Sequence, residues 1–356
     1  MTPTGEYGQE EAAESAPLAG VRVVDVSRLL PGPYCSWILA SLGAEVIRVE
    51  PPGGGDPSRL LPPIVSGHGV FHAALDRGKR SVALDIRQEA GAEAFRTLVA
   101  SADVMVESFR PGRLGSVGLD PRRLCAENPG LIVSSITGFG QSGPLADLPG
   151  HDLNYVGYAG IVAACGGTRP EPYPVQVADI AGGSLMAVVG ILAALFQRAA
   201  TGKGRWLDVS MTEGALALFA PHLATACAQE DGVLPGGELL SGGFAGYHTY
   251  RCQDGGLLTV APLEPKFWQR FLEIVPTAPA VPDTGELAAL FGTRSRDEWA
   301  DLLADCCVGP ALEPTEVPGL EHFVARNAFE TVLGIPMPKA PFPWASSKKI
   351  AVLGQD

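Results

Sequence analysis

The sequence predicts an α/β protein: a large domain on a mainly parallel, Rossmann-like sheet, then a smaller α+β domain. Three observations predict it. Short valine- and isoleucine-rich runs alternate with helical stretches from Val21 to Gly140, the pattern of βαβ units. From Asn154 onward the pattern turns helical. Beyond Gly236 it changes again, to a hairpin signal and short helices.

Taken in order, the first seventeen residues, MTPTGEYGQEEAAESAP, read as a disordered acidic tail without a targeting pattern. Val21–Ser27 reads as a buried strand. Pro31-Gly32-Pro33 breaks the chain, Tyr34–Leu42 carries a helical pattern, and Gly43 closes it. Glu45–Glu50 is the next strand, but this strand–helix–strand unit lacks GxGxxG, which disfavours an ordinary dinucleotide site. Pro51–Ser66 is a loop, Ser81–Ile86 a strand, Gln88–Ala100 a helix and Asp103–Phe109 a strand. Asp120 is placed to cap a short helix at Pro121–Glu127. Leu131–Thr137 is a strand ending in Gly138-Phe139-Gly140. An apolar helix, Leu185–Arg198, precedes a strand at Trp206–Val209 and one long helix at Thr212–Gln229.

The expected domains are a large one over residues 18–235, a small one over 236–309, and a segment 310–356 that returns to the large domain. In the small domain, Tyr247–Cys252 and Leu257–Ala261 flank an Asp-Gly turn. Lys266–Ile274 is helical, and Ser295 with Glu298 makes a capping box ahead of Trp299.

Composition excludes several function classes. The 356 residues are 46% hydrophobic and 18% charged, as in globular proteins with a large core. A net charge of −13 argues against nucleic acid or an anionic membrane as partner, so an anionic ligand needs a local basic cluster. The run Leu185–Phe196 falls short of the roughly 20 residues of a membrane span and reads as a core helix. Seven cysteines, odd in number and without a CxxC pair, read as reduced thiols in a cytoplasmic protein, and no ligand spacing suggests a metal.

The chemistry concentrates between Gly150 and Arg198. His151 and Asp152 stand side by side where a helix begins, and a helix start offers free N–H groups to a developing oxyanion. Asp179 lies between Val177-Ala178 and Ile180-Ala181, which no solvated face explains. Two readings stand for it: a helix N-cap, or a general base whose pKa is raised by apolar surroundings. Glu264, between Leu263 and Pro265, is either a helix-start acid or a histidine's hydrogen-bond partner. Arg77-Gly78-Lys79-Arg80 is either a solvated turn or a phosphate contact. Arg48 and Arg110 sit at the C-terminal ends of parallel strands, where α/β folds place ligands.

In this order, GVRVVDVSRLLPGPYCSWILASLGAEVIRVE, RGKRSVALDI, VMVESFRPG, ITGFGQSGP, GHDLNY, VADIAGGS, GILAALFQR and APLEPKF resemble the family III CoA-transferases (CaiB/BaiF), and in particular their α-methylacyl-CoA racemase branch. The resemblance covers nearly everything after residue 17. It implies an interlocked homodimer with a site shared between a large and a small domain. It implies acyl-CoA as substrate, with coenzyme A part of that substrate and no permanently bound cofactor. His151 and Asp179 match the racemase branch's proton-transfer pair, Glu264 matches the residue that orients the histidine, and a backbone N–H near Asp152 binds an enolate oxygen. Gly138, Gln141, Arg48, Arg77, Lys79, Arg80 and Arg110 fall where CoA contacts are expected. The alternatives are a CoA-transferase in which Asp179 attacks an acyl-CoA to give a mixed anhydride, and a non-catalytic relative. Departures from the pattern are Ala178-Asp179-Ile180-Ala181 where GDFG is common, Pro51 for an arginine, and Ser116 near another basic position.

Overall fold

The computed structural model describes residues 16–165, 174–229, 236–275 and 282–342. These fall into two units. One takes 16–159, 174–220 and 328–342; the other takes 160–165, 221–229, 236–275 and 282–327.

The first unit is built on six parallel strands: β1 (Arg22–Asp25), β2 (Glu45–Glu50), β3 (Arg80–Ala83), β4 (Val104–Glu107), β5 (Ile132–Thr137) and β6 (Trp206–Ser210). Their spatial order is β3-β2-β1-β4-β5-β6. The order reverses between β1 and β4, and open α/β sheets bind ligands beyond the strand ends at such a point. The register aligns Val24, Met105 and Val133 in one row. That row faces a core with Phe95 and Val99 of α3 (Glu89–Ala100) and Leu124 of α4 (Pro121–Glu127). Asp120 Oδ1 caps α4 by accepting the N–H groups of Arg122 and Arg123, as predicted.

Three element boundaries differ from expectation. Helix α1 (Pro31–Ser41) begins at the prolines instead of after them. First-turn N–H groups have no helical acceptor, so a proline loses nothing there. The apolar helix starts eight residues earlier: a wide π-helical turn, Val177–Leu185, runs straight into α6 (Met186–Thr201). The run is 25 residues, long enough by length and composition to cross a membrane, which corrects the expected length. Ala187, Val188, Ile191 and Ala194 are buried, whereas Val189 and Phe196 are 60% and 85% exposed. The predicted helix over Thr212–Gln229 is two, α7 (Met211–Leu218) and α8 (Ala220–Ala228), because Pro221 cannot continue the hydrogen-bond ladder.

A cluster of charge is sealed behind β1 and β2. The Arg48 guanidinium is fully buried and bridges Asp25 and Asp56 at 3.0 Å each, with Asp76 at 3.3 Å. Lys79 Nζ lies 2.9 Å from Asp76 and donates to the Pro33 carbonyl. The cluster sets the next loop: Arg48 donates to the Ser27 carbonyl and Asp56 Oδ2 accepts the Leu29 N–H. Leu29 is held at φ 62°, a left-handed conformation that leucine rarely adopts.

Phe329–Val332 and Ile335–Pro338 form a hairpin through Leu333-Gly334, both at positive φ. Val332 and Met337 pack on Ala73 of α2 (Val70–Asp76), within the first unit. The second unit holds the antiparallel strands β7 (His248–Arg251), β8 (Leu257–Val260) and β9 (Val308–Ala311). They pack with Phe271 of α9 (Pro265–Ile274), Phe291 of α10 (Thr284–Phe291) and Trp299 of α11 (Arg296–Leu302). Ser295 and Glu298 form the predicted capping box on α11.

Candidate active site

Two cavities open beyond the carboxyl ends of β1 and β4, at the point where the strand order reverses. The first, about 720 Å³, is lined by Leu29, Leu30, Pro31, Arg110, Gly138, His151, Asn154, Tyr155 and Asp179. The second, about 730 Å³, is lined by Ser27, Arg28, Pro51, Arg87, Arg110, Arg113 and Ser116. Arg28, Ser108, Phe109 and Arg110 belong to both, so the two adjoin along the loops after β1 and β4. His151 and Asp179, predicted to serve one substrate, thus face the same space.

Asp179 is positioned by its backbone. It is the third residue of the π turn, whose N-cap is Gln176, so the N-cap reading is corrected. The cap is supplied from elsewhere: Asp152 Oδ1 accepts the N–H groups of Ala178 and Asp179 at 2.7 and 3.0 Å. Ser184, fully buried, donates its hydroxyl to the carbonyls of Asp179 and Pro31. Gly182 allows α7 to approach, since a Cβ there would lie 2.7 Å from Ala215 N and Met211 O. Burial raises the Asp179 carboxyl to about 7, and the nearby Asp152 charge adds to the rise.

His151 precedes α5 (Asp152–Tyr158), is exposed, and has its N–H held by Asn154 Oδ1 at 3.0 Å. The Tyr155 hydroxyl pins the Gly150 carbonyl at 2.6 Å. Burial, with the Asp179 charge, pushes this phenol up to about 12, while Arg110 pulls it down. Gly138 makes room for the Tyr155 ring, which a Cβ would meet at 2.4 Å, and it lines the first cavity, where a ligand contact was expected.

The basic residues divide differently from expectation. Arg48 and Lys79 are spent inside the charge cluster and reach neither cavity. Arg77 is buried over the Trp37 ring, paired with Glu330 and donating to the Pro338 carbonyl. Arg80 is exposed and paired with Glu45. None of the four lines either cavity: packing pairs Arg48, Arg77 and Arg80 with acids from other segments and Lys79 with Asp76, three positions earlier. Arg110 does line the site. Arg28 and Arg113 line the second cavity and, among the described residues, make no ion pair. Arg28 was missed, although its place directly after β1 was a usable signal. Gln141 is also elsewhere. Its N–H is held by Asp208, and its side chain lines a separate cavity of about 180 Å³. Glu264 is the exposed N-cap of α9 in the second unit, which agrees with the helix-start reading. Among the described residues no three His, Cys, Asp or Glu side chains gather to hold a metal.

Comparison with known proteins decides the family. A model of CoA-transferase family III matches residues 18–352. The chain belongs to CoA-transferase family III. It is 37% identical over 330 residues to the α-methylacyl-CoA racemase of Homo sapiens, covering 88% of this chain and 82% of that one. It is 30% identical over 355 residues to the succinyl-CoA–L-malate CoA-transferase alpha subunit of Chloroflexus aurantiacus, covering 90% and 79%. A crystal structure of a CaiB/BaiF family protein from Brucella suis superposes with a TM-score of 0.80 at 32% identity, covering 92% of each chain. The family thus shares this α/β fold.

Proposed function

We propose that this family III member is an acyl-CoA racemase or epimerase acting on 2-methylacyl-CoA thioesters. One observation carries the reading: an imidazole, His151, and a carboxylate raised to about 7, Asp179, open on one cavity. Near neutrality such a carboxylate is present both protonated and ionised, so it serves either as acid or as base. One of the pair takes the α-proton. The electron pair left on carbon moves onto the thioester oxygen as an enolate. The other residue returns a proton to the opposite face, and the stereocentre inverts. In this reading a backbone N–H near Asp152, at the start of α5, binds the enolate oxygen. The thioester itself acidifies the α-carbon, so in this reading the step requires no resident cofactor or metal.

Arg28, Arg110 and Arg113 bind the anionic CoA portion across the adjoining cavities. Glu264, from the small domain of a second copy, orients His151. An interlocked homodimer is supported by the exposed Val189 and Phe196 on α6, an apolar face that a second copy would cover. The scattered, odd cysteines support a cytoplasmic setting. The likeness to the Chloroflexus transferase favours a second reading, in which ionised Asp179 attacks the thioester carbonyl and expels CoA as thiolate to form an anhydride.

The test is exchange of the C2 hydrogen of a 2-methylacyl-CoA in deuterium oxide without any acceptor acid. Deuterium at C2 with loss of optical purity supports the racemase. Acyl transfer to a free acid, with hydroxylamine trapping at Asp179 and no C2 exchange, overturns it in favour of the transferase.

A further inference from the structure

The geometry points to Glu107 as a positioning residue for the reaction: from inside the sheet it fixes the Ser108–Arg110 turn and thereby sets where Arg110 presents its guanidinium to the ligand. The inference rests on the proposed binding of CoA esters at this cleft.

Glu107 ends β4 and is 2% exposed. It reaches neither of the two large cavities. Its Oε2 accepts the Phe109 N–H at 2.7 Å, closing the turn that follows the strand. That turn carries Ser108, Phe109 and Arg110, all three of which line both large cavities. Ser108 Oγ also accepts the N–H of Arg28, so the same turn anchors the opposite ridge of the cleft. On its other side Glu107 lines the small cavity of about 180 Å³, shared with Arg110, Gln141, Asp120 and Arg122. Gln141 Nε2 is buried there and, among the described residues, has no hydrogen-bond partner. Arg110 is thus the one side chain that lines all three cavities, and Glu107 holds the backbone it hangs from.

The groups around this carboxyl make its proton state variable. Burial raises it to about 7, outweighing the Ser135 hydroxyl of β5 and the Phe109 N–H, which favour its charge, and the Asp208 charge of β6 adds to the rise. Arg110 and Arg122 line the same cavity with Asp120, which caps α4. An ionised carboxylate accepts the Phe109 N–H more strongly than a neutral one. The turn is therefore held best above about pH 7 and loosens below it.

A double-mutant cycle on free CoA binding tests this, run by calorimetry in an Asp179→Asn background so that the catalytic acid cannot titrate. Glu107→Ala should weaken CoA about tenfold, and Arg110→Ala comparably. The double variant should bind no more weakly than Arg110→Ala alone, because Glu107 acts through Arg110. Glu107→Gln keeps an acceptor oxygen and should restore most of the affinity, with the pH dependence reduced to the part that the titrating phosphomonoester of CoA itself brings. In the same background the amide resonance of Phe109 should titrate near pH 7 and cease to do so in Glu107→Gln. Independent, multiplying losses for Glu107→Ala and Arg110→Ala overturn the inference, as does a Phe109 amide indifferent to Glu107→Gln. A protein that binds no CoA ester defeats the functional reading, and the Phe109 resonance then still decides the role of Glu107.

Discussion

Asp152 holds Asp179 from two directions: its Oδ1 accepts the Asp179 N–H at 3.0 Å, and its charge helps lift the Asp179 carboxyl to about 7. The hydrogen bond fixes the backbone from which the acid projects. The charge keeps that acid near the pKa a base needs at neutral pH. One side chain, twenty-seven positions earlier, therefore serves both geometry and electrostatics.

The raised carboxyl costs stability at high pH. The folded form binds its proton more tightly than the unfolded chain, so stability falls as pH rises from about 4 to about 7 and stays lower above. The rise from 3.8 to about 7 corresponds to a loss on the order of 4 kcal/mol. Asp179→Asn should thus be more stable than wild type at pH 8 and close to it at pH 4. Urea denaturation at the two pH values checks this, and equal gains at both would contradict the linkage.

His151 and Asp179 divide the two reactions. His151→Ala should lower C2 deuterium exchange by about 10²–10⁴-fold, the range for a lost acid–base group. Any acyl transfer that depends on Asp179 alone should survive in part. Asp179→Asn should abolish both. Mass spectrometry of the thioester pool reads the first activity and of the acid pool the second.

The π turn depends on its small residues. Gly182→Ala would set a Cβ 2.7 Å from two backbone atoms of α7, which cannot give way as a side chain can. A loss of at least about 1–3 kcal/mol is expected, as for an overpacked core. Ser184→Ala leaves the carbonyls of Pro31 and Asp179 without its hydroxyl, at about 1–3 kcal/mol. Melting curves read both. Because Ser184 bonds to the Asp179 carbonyl, its kcat should fall with KM little changed.

Arg48 and Arg28 should behave in opposite ways. Arg48→Ala removes the guanidinium that bridges Asp25, Asp56 and Asp76, leaving Lys79 near Asp25 and Asp76 and no cation on Asp56, and should cost about 3–5 kcal/mol of stability. Arg28→Ala removes an exposed side chain on the cleft and should leave melting unchanged. It should weaken CoA about tenfold, as expected for a lost charge-assisted contact. Melting and calorimetry on the two variants separate a buried strut from a ligand contact.

The sequence by itself determined the alternation of strands and helices, the caps at Asp120 and Ser295, and the family, and it singled out His151 and Asp179, which line one cavity. These are local signals or ordered motifs: periodicity, turn residues and capping offsets act within a few positions of one another. Only the tertiary structure decided where the charges go. Arg48, Lys79 and Arg77 look like ligand contacts in the chain, yet packing delivers Asp25, Asp56, Asp76 and Glu330 to them and closes them off. Arg28 looks ordinary and ends on the cleft. The same holds for the π turn, where Gly182 and Gly214 let two backbones touch. Burial and charge pairing depend on residues far apart in sequence, so no local pattern encodes which cation is sealed in and which is left free for an anion.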